Sequence, residues 1–366
     1  MTQREREILD WIREDPLISQ QELARRAGIT RSSVGVHISN LMRKGFIRGR
    51  GYLINQENYV AVVGAVNVDI GGTPDSALLT GDSNPGRVSV TLGGVGRNIA
   101  ENLCRLGHRV VMVTALGEDA HAQQIQLSCR ELGMDLSHSL IVPGARTSTY
   151  LCLNDADGEI VGAVSDMAIY DALTPDFLRT KLEVLNRAAL VVLDANLSRE
   201  AIDYLAANVK APLFADPVSV KKADKLAGAL SHLVAMKPNR PEAALLTGVK
   251  IETDDDLPRA AQAFLDLGLK YAIISLGSRG VYFDDGCERG VLPCFEGPIV
   301  NTTGCGDAFL ASAASAWLDG CTLRQMALRG LAASSICART DSAVSPLIHP
   351  DAIQQLFQTI EGGQAL

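Results

Sequence analysis

Between residues 59 and 277 the chain returns repeatedly to short, unbroken apolar runs. They are YVAVVGAVNVDI from Tyr59, VVMVTAL at 110–116, ALVVLDA at 189–195, APLFADP at 211–217, LVAMKP at 233–238 and YAIISLG at 271–277. A strand with one wet face alternates apolar and polar residues; most of these do not, so both of their faces must be covered. Helical segments separate them. Alternating helices and doubly buried strands predict an α/β fold, a mainly parallel sheet with helices on both faces. Hydrophobic residues fill 47% of the 366 positions and charged ones 21%, enough to build a sizeable core and incompatible with wholesale disorder.

Two stretches depart from the pattern. Residues 70–92 and 147–165 alternate and carry turn signals, Asn84-Pro85-Gly86 in one and Asp157-Gly158 in the other. They are expected to form antiparallel strands of a small lid beside the main sheet.

The first 55 residues differ in charge from the rest. They hold ten Lys/Arg against six Asp/Glu, a local +4 in a chain of net −8, which leaves −12 for the remainder. Three short helices are predicted: one over 3–15 ended by Pro16, one capped by Ser19 with Glu22 completing a capping box and Gly28 stopping it, and one over 31–44 capped by Thr30. FIRGRGYLI (46–54) then reads as two short strands, and Asn55–Asn58 as a linker. Three helices and a basic hairpin make a winged helix-turn-helix over residues 1–55. Arg31, Ser32, Ser33 and His37 on the third helix are placed to meet DNA in a groove, with Arg48 and Arg50 on the wing near the backbone. A packing module with an ordinary solvated surface is the alternative. The remaining domain is expected over 59–366.

The eight cysteines show no C-x-x-C spacing and are expected to be reduced, buried thiols. The opening MTQREREILD is charged from its start, unlike a signal peptide, and no apolar run approaches the roughly 18–20 residues of a membrane span. A cytoplasmic protein without membrane contact is expected.

Chemistry concentrates at three glycine-rich turns. In NTTGCGDAFLASAASAWL (301–318) a polar turn feeds an Ala-rich helix, so the N–H groups of Gly304, Cys305 and Gly306 are expected to converge on an anion. An acid beside an anion site is repulsive unless it takes a proton from an attacking hydroxyl, the role expected of Asp307. An acid favoured by the helix dipole explains the same residue without chemistry. LGGVGRNIAENLCRLG (92–107) is a second such turn, with Asn98 in the first turn of its helix. It lacks the third glycine of the dinucleotide fingerprint, and no P-loop pattern occurs, which argues against an oxidoreductase. In VVGAVNVDIGG (62–72), Asn67 and Asp69 are expected to end a buried strand at its carboxyl edge, there to grip sugar hydroxyls or simply to form a turn.

With both turns in view, residues 59–360 resemble the ribokinase or PfkB family of carbohydrate and nucleoside kinases. Gly93 to Asn98 is similar to that family's N-terminal signature and Asn301 to Asp307 to its C-terminal one. The resemblance implies a ribokinase-like fold and an ATP-dependent kinase. It gives Asp69 and Asn98, with Asn67 and the backbone of Gly93 and Gly94, to the sugar hydroxyls. Gly304, Cys305 and Gly306 would form the anion hole, and Asp307 would be the base. Asn239 and Glu242 would organise Mg²⁺ through waters, while Ser275, Gly277, Ser278 and Gly280 lie near ATP with Asn239. The chain around Ala338–Asp341 would close over the adenine.

Asn301 stands where the family often has an Asp that helps bind a monovalent cation, so K⁺ activation stays open. Cys305 replaces a common Ala, and a thiol beside an anion hole invites oxidation, although a buried, inert cysteine is the plainer expectation. Asp82–Gly86 and GGVGRNIAENL look most like pseudouridine kinases, which implies a ribonucleoside phosphorylated at its 5′-hydroxyl. A free-sugar kinase and a ligand-sensing transcription regulator with a kinase-like effector domain are the competing expectations. A homodimer is expected.

Overall fold

The computed structural model describes residues 1–47, 58–156 and 160–361. The chain divides into two compact units, Met1–Asn58 and Tyr59–Leu366.

In the first unit, α1 (Gln3–Glu14), α2 (Gln20–Ala27) and α3 (Arg31–Arg43) surround Ile8, Leu9, Ile12, Leu23, Val34 and Leu41, all fully buried. Thr2, Ser19 and Thr30 each accept an N–H at a helix start, and Gly28 turns left-handed at φ 65° to end α2. The capping box expected at α2 is only half formed. Ser19 Oγ accepts from the Glu22 N–H, but the Glu22 carboxylate turns away to pair with Arg25 and Arg26, since two guanidiniums outcompete one amide. Most of the expected wing, with Arg48 and Arg50, and most of the linker lie outside the described residues.

The second unit opens with β1 (Tyr59–Val63), β2 (Asn67–Pro74), β3 (Gly86–Gly93), β4 (Arg109–Val113), β5 (Ala115–Leu116), β6 (Leu140–Ile141), β7 (Thr149–Asn154) and β8 (Ile160–Asp166). It continues with β9 (Leu190–Asp194), β10 (Leu213–Asp216), β11 (Leu233–Met236), β12 (Tyr271–Ser275), β13 (Val281–Asp284) and β14 (Arg289–Leu292). The main sheet has the order β14-β13-β12-β11-β10-β9-β1-β4 and is parallel except for β13 and β14. Alternate residues of β1 enter different cores: Ala61 and Val63 one, Val60 and Val62 the other. That double burial is why the run is continuously apolar, and each fully buried Val or Leu contributes about 1.5–3 kcal/mol.

β3-β2-β7-β8 form a separate four-stranded sheet from the two stretches expected as a lid. Three corrections apply. Residues 59–70 are two strands, because the chain leaves the main sheet at Gly64–Val66. There the Ala65 N–H is held by Asp194 Oδ2 at 2.8 Å and the Val66 N–H by the Tyr170 hydroxyl at 2.8 Å. Asn67 and Asp69 therefore begin a lid strand instead of ending a core strand. The lid is also mixed: β2–β3 and β7–β8 are antiparallel, but β2–β7 is parallel. The Asp157-Gly158 turn lies outside the described residues. The cysteines are all free, yet only Cys129 and Cys337 are buried and Cys287 is exposed. Polar neighbours on short turns, such as Asp285 and Glu288 around Cys287, keep such thiols at the surface.

Candidate active site

Two glycine-rich turns meet at the carboxyl edge of the main sheet. The first lies between β3 and the Val95–Arg105 helix. Asp69 Oδ2 would lie 2.1 Å from any Cβ on Gly93, so only glycine lets this carboxylate rest on the turn. The Asn67 side-chain amide donates to Asp69 Oδ1. Burial pushes the Asp69 carboxyl up to about 6, against the opposing pull of that bond and of Arg97. Asn98 is buried four residues after Gly94, with its N–H on the Gly94 carbonyl at 2.8 Å.

The second turn starts the Cys305–Leu318 helix. Gly304 is its N-cap at φ 78°, where a Cβ would meet the Ala343 carbonyl at 1.8 Å. The Gly304 and Gly306 N–H groups make no hydrogen bond among the described residues. The Cys305 amide differs from expectation, because it donates to the Thr302 carbonyl at 3.3 Å and closes the turn. A long bond of that kind is weak.

The two turns are joined by one hydrogen bond, from Asn98 Nδ2 to Asp307 Oδ2 at 2.8 Å, between residues 209 positions apart. Asn98 Oδ1 is buried without a partner among the described residues. Asp307 is 8% exposed. Burial raises its pKa well above the ordinary carboxylate value, and the negative field of Asp216 adds to this, while the Asn98 bond and Lys237 oppose it. A buried carboxyl with a raised pKa is a stronger base once ionised, which suits proton abstraction from an alcohol.

Lys237 and Asp216 went unnoticed in the sequence. Lys237 follows β11, and its Nζ would lie 3.3 Å from a Cβ on Gly306, directly beside the unpaired amides. Asp216 ends β10, with Oδ1 accepting from the Val218 N–H at 2.7 Å. That bond accompanies a left-handed Val218, φ 64°, a costly conformation for a β-branched residue. The usable signal was position: both follow apolar strand runs at the edge where α/β folds bind ligands.

Beside these groups a cavity of 690 Å³ brings Ser275, Gly277, Ser278 and Gly280 together with Cys305 and Gly306, and Lys237 and Arg339 also line it. Its size and its mixture of loop backbone, hydroxyls and apolar walls fit a nucleotide. Asn239 and Glu242 are not in that lining. They form a reciprocal capping box at the start of the Arg240–Thr247 helix, each bonding the other's N–H at 2.9 Å. Burial raises the Glu242 pKa. In the N-terminal unit Arg31 and Ser32 are exposed, whereas Ser33 and His37 are half-buried and Ser33 Oγ lies 2.9 Å from Thr30 Oγ1.

Such an edge, with unpaired amides at a helix start and a buried carboxyl beside a 690 Å³ cavity, fits a ribokinase-like phosphotransferase acting on a hydroxyl group. The chain belongs to the pfkB family of carbohydrate kinases, whose model matches residues 57–350. Residues 1–48 match the winged helix-turn-helix DNA-binding family. Among Escherichia coli (strain K12) proteins, one named Uncharacterized sugar kinase YeiI is 35% identical over 96% of this chain and 98% of its own length. Another, named Pseudouridine kinase, is 39% identical over 73% of this chain and 86% of its own. A solved carbohydrate kinase from Agrobacterium tumefaciens superposes with TM-score 0.72 at 28% identity, over 82% of this chain and 97% of that one. Arabidopsis thaliana ribokinase complexed with ribose and ATP shares the fold, with TM-score 0.73 and 23% identity over 82% and 99%. Among the described residues no helix is long and apolar enough to cross a membrane.

Proposed function

We propose that this chain phosphorylates the 5′-hydroxyl of a ribonucleoside of the pseudouridine type at the expense of ATP, and that its N-terminal unit couples this activity to DNA. The observation carrying the kinase chemistry is the Asn98–Asp307 hydrogen bond, which holds a buried carboxylate between the two glycine-rich turns. Asp307 takes the proton of the acceptor hydroxyl. The Gly304 and Gly306 amides, with Lys237, receive the charge of the moving phosphoryl group. Asp69, Asn67 and the free Asn98 Oδ1 hold the sugar. Mg²⁺, bound with the nucleotide, supplies charge neutralisation; Glu242, with one carboxylate oxygen committed to the capping box, would hold it through water.

The nucleoside assignment is supported by the 39% identity to a protein named Pseudouridine kinase. A panel of nucleosides and free sugars scored by ADP release tests it: turnover confined to ribose or fructose would remove the nucleoside reading and leave a sugar kinase. Running the panel with and without K⁺ tests Asn301. Its Nδ2 donates to the Asp341 carbonyl at 3.0 Å and its side chain carries no charge to attract a cation, so equal rates are expected.

The match of residues 1–48 favours a second role as a ligand-responsive regulator. A gel shift with DNA flanking the gene, with and without nucleoside, decides it; no shift under either condition refutes the role.

A further inference from the structure

Cys305 and Cys337 lie across the seam between the Cys305–Leu318 and Leu323–Ala338 helices. Ser334 Oγ donates to the Cys305 carbonyl at 2.7 Å, and Cys305 Sγ lies 3.4 Å from the Ser334 carbonyl. Cys337, one turn further along that second helix, is fully buried. Its sulfur reaches back to within 3.7 Å of the Thr303 carbonyl, two residues before Cys305. Each sulfur thus rests against a carbonyl of the segment that carries the other, Cys305 Sγ on Ser334 and Cys337 Sγ on Thr303.

The two members differ in a way that assigns roles. Cys305 is half-buried, lines the 690 Å³ cavity and so is open to small molecules. The neighbouring Cys337 thiol lowers its pKa, and the nearby Lys237 ammonium does the same against the opposing effect of burial. The Cys337 thiol is held protonated by its neighbour Cys305 and by burial. Cys305 is therefore the accessible nucleophile and Cys337 a buried partner in the same helix seam.

We propose that Cys305 and Cys337 form an oxidisable dithiol in the wall of the nucleotide cavity, at which a peroxide switches phosphoryl transfer off. The Cys305 thiolate attacks one peroxide oxygen and breaks the O–O bond, giving a sulfenic acid and hydroxide. Cys337 sulfur then attacks the sulfenic sulfur; the S–S bond forms, the S–O bond breaks, and the released hydroxide leaves as water with the Cys337 proton. Both thiols are oxidised by one electron equivalent each while hydrogen peroxide is reduced to two waters. Drawing Cys305 toward the second helix shifts the first turn that carries the Gly306 amide and Asp307.

The functional consequence rests on the kinase reading, but the covalent step does not, so the test separates them. Purified full-length protein is treated with hydrogen peroxide, and its thiols are mapped by intact mass and by peptide mass spectrometry. The expected product has lost two hydrogens and contains a Cys305–Cys337 cross-linked peptide that dithiothreitol reverses. ATP with Mg²⁺ slows its formation, and turnover falls at least about tenfold and recovers on reduction. Cys337→Ser is expected to stop at the sulfenic acid, trapped by dimedone on Cys305. Free Cys305 and Cys337 in protein whose other thiols have been oxidised would overturn the proposal. So would a complete cross-link with turnover unchanged. Should the untreated protein phosphorylate nothing, the kinase reading fails, and peptide mapping still decides the dithiol.

Discussion

Asp307 shows how burial changes the acidity of an ordinary residue. With 8% exposure and Asp216 nearby, its ionised form is disfavoured until something takes up the charge. Asp307→Asn is expected to lower kcat by several orders of magnitude while nucleotide affinity, read by calorimetry, survives; near-normal turnover would refute the base assignment. Because its pKa is raised, the acid limb of kcat should lie above that of an ordinary aspartate, with the rate falling as pH drops through it. Asp69 makes a separate prediction. With its carboxyl at about 6, the acceptor KM should rise as pH falls below about 6. The sign for stability is opposite. A folded pKa above the unfolded one gives a contribution fully present below the unfolded value and lost as pH rises through about 6. Asp69→Asn should therefore raise Tm more at about pH 8 than at about pH 4, and a pH-independent gain would contradict this.

At the scale of elements, the four-stranded sheet expected as a lid is two-faced. Pairing places Asp69, Thr91 and Tyr150 on one face and Ile70, Val90, Leu151 and Val164 on the other. Sequence alternation predicted two-faced strands, but it gave no sign that the body and lid are stapled by a buried arginine. Arg97, 5% exposed, donates to the Leu92 carbonyl at 3.3 Å and to Ser128 Oγ at 3.2 Å, and pairs with Glu101 at 2.8 Å. It thereby fixes the end of β3 to the helix that carries Asn98. Arg97→Met should cost about 2–4 kcal/mol in urea unfolding, less than a fully orphaned buried pair because Arg105 still reaches Glu101. It should also raise the acceptor KM more than it lowers kcat. A kcat loss alone would mean that Arg97 does not act through the lid.

At the scale of the whole molecule, the two units have separate cores, one around Ile8, Leu23 and Val34 and two on the faces of the main sheet. Deleting residues 1–58 should leave a folded kinase with unchanged kcat and no DNA retention, checked by circular dichroism, turnover and gel shift. The apolar lid face leaves Val88 73% and Val164 65% exposed, and we propose that a second copy covers it. Light scattering should then find a dimer with or without the head, and a monomer after Val164→Asp. A head-dependent dimer would move the interface to the N-terminal unit.

The sequence by itself determined the parallel sheet, the three capped helices and both glycine-rich turns. Those depend on local physics: strand burial sets residue type continuously, and helix starts need specific caps within three residues. Tertiary structure alone decided what depends on distance through space. It split residues 59–70 into core and lid strands through Asp194 and Tyr170, and brought Asn98 to Asp307. It set Lys237 beside Gly306 and laid Cys337 against the turn that precedes Cys305. A pair far apart along the chain leaves no periodicity to read, because its contact is imposed by the strand order of the sheet and not by either residue's neighbours.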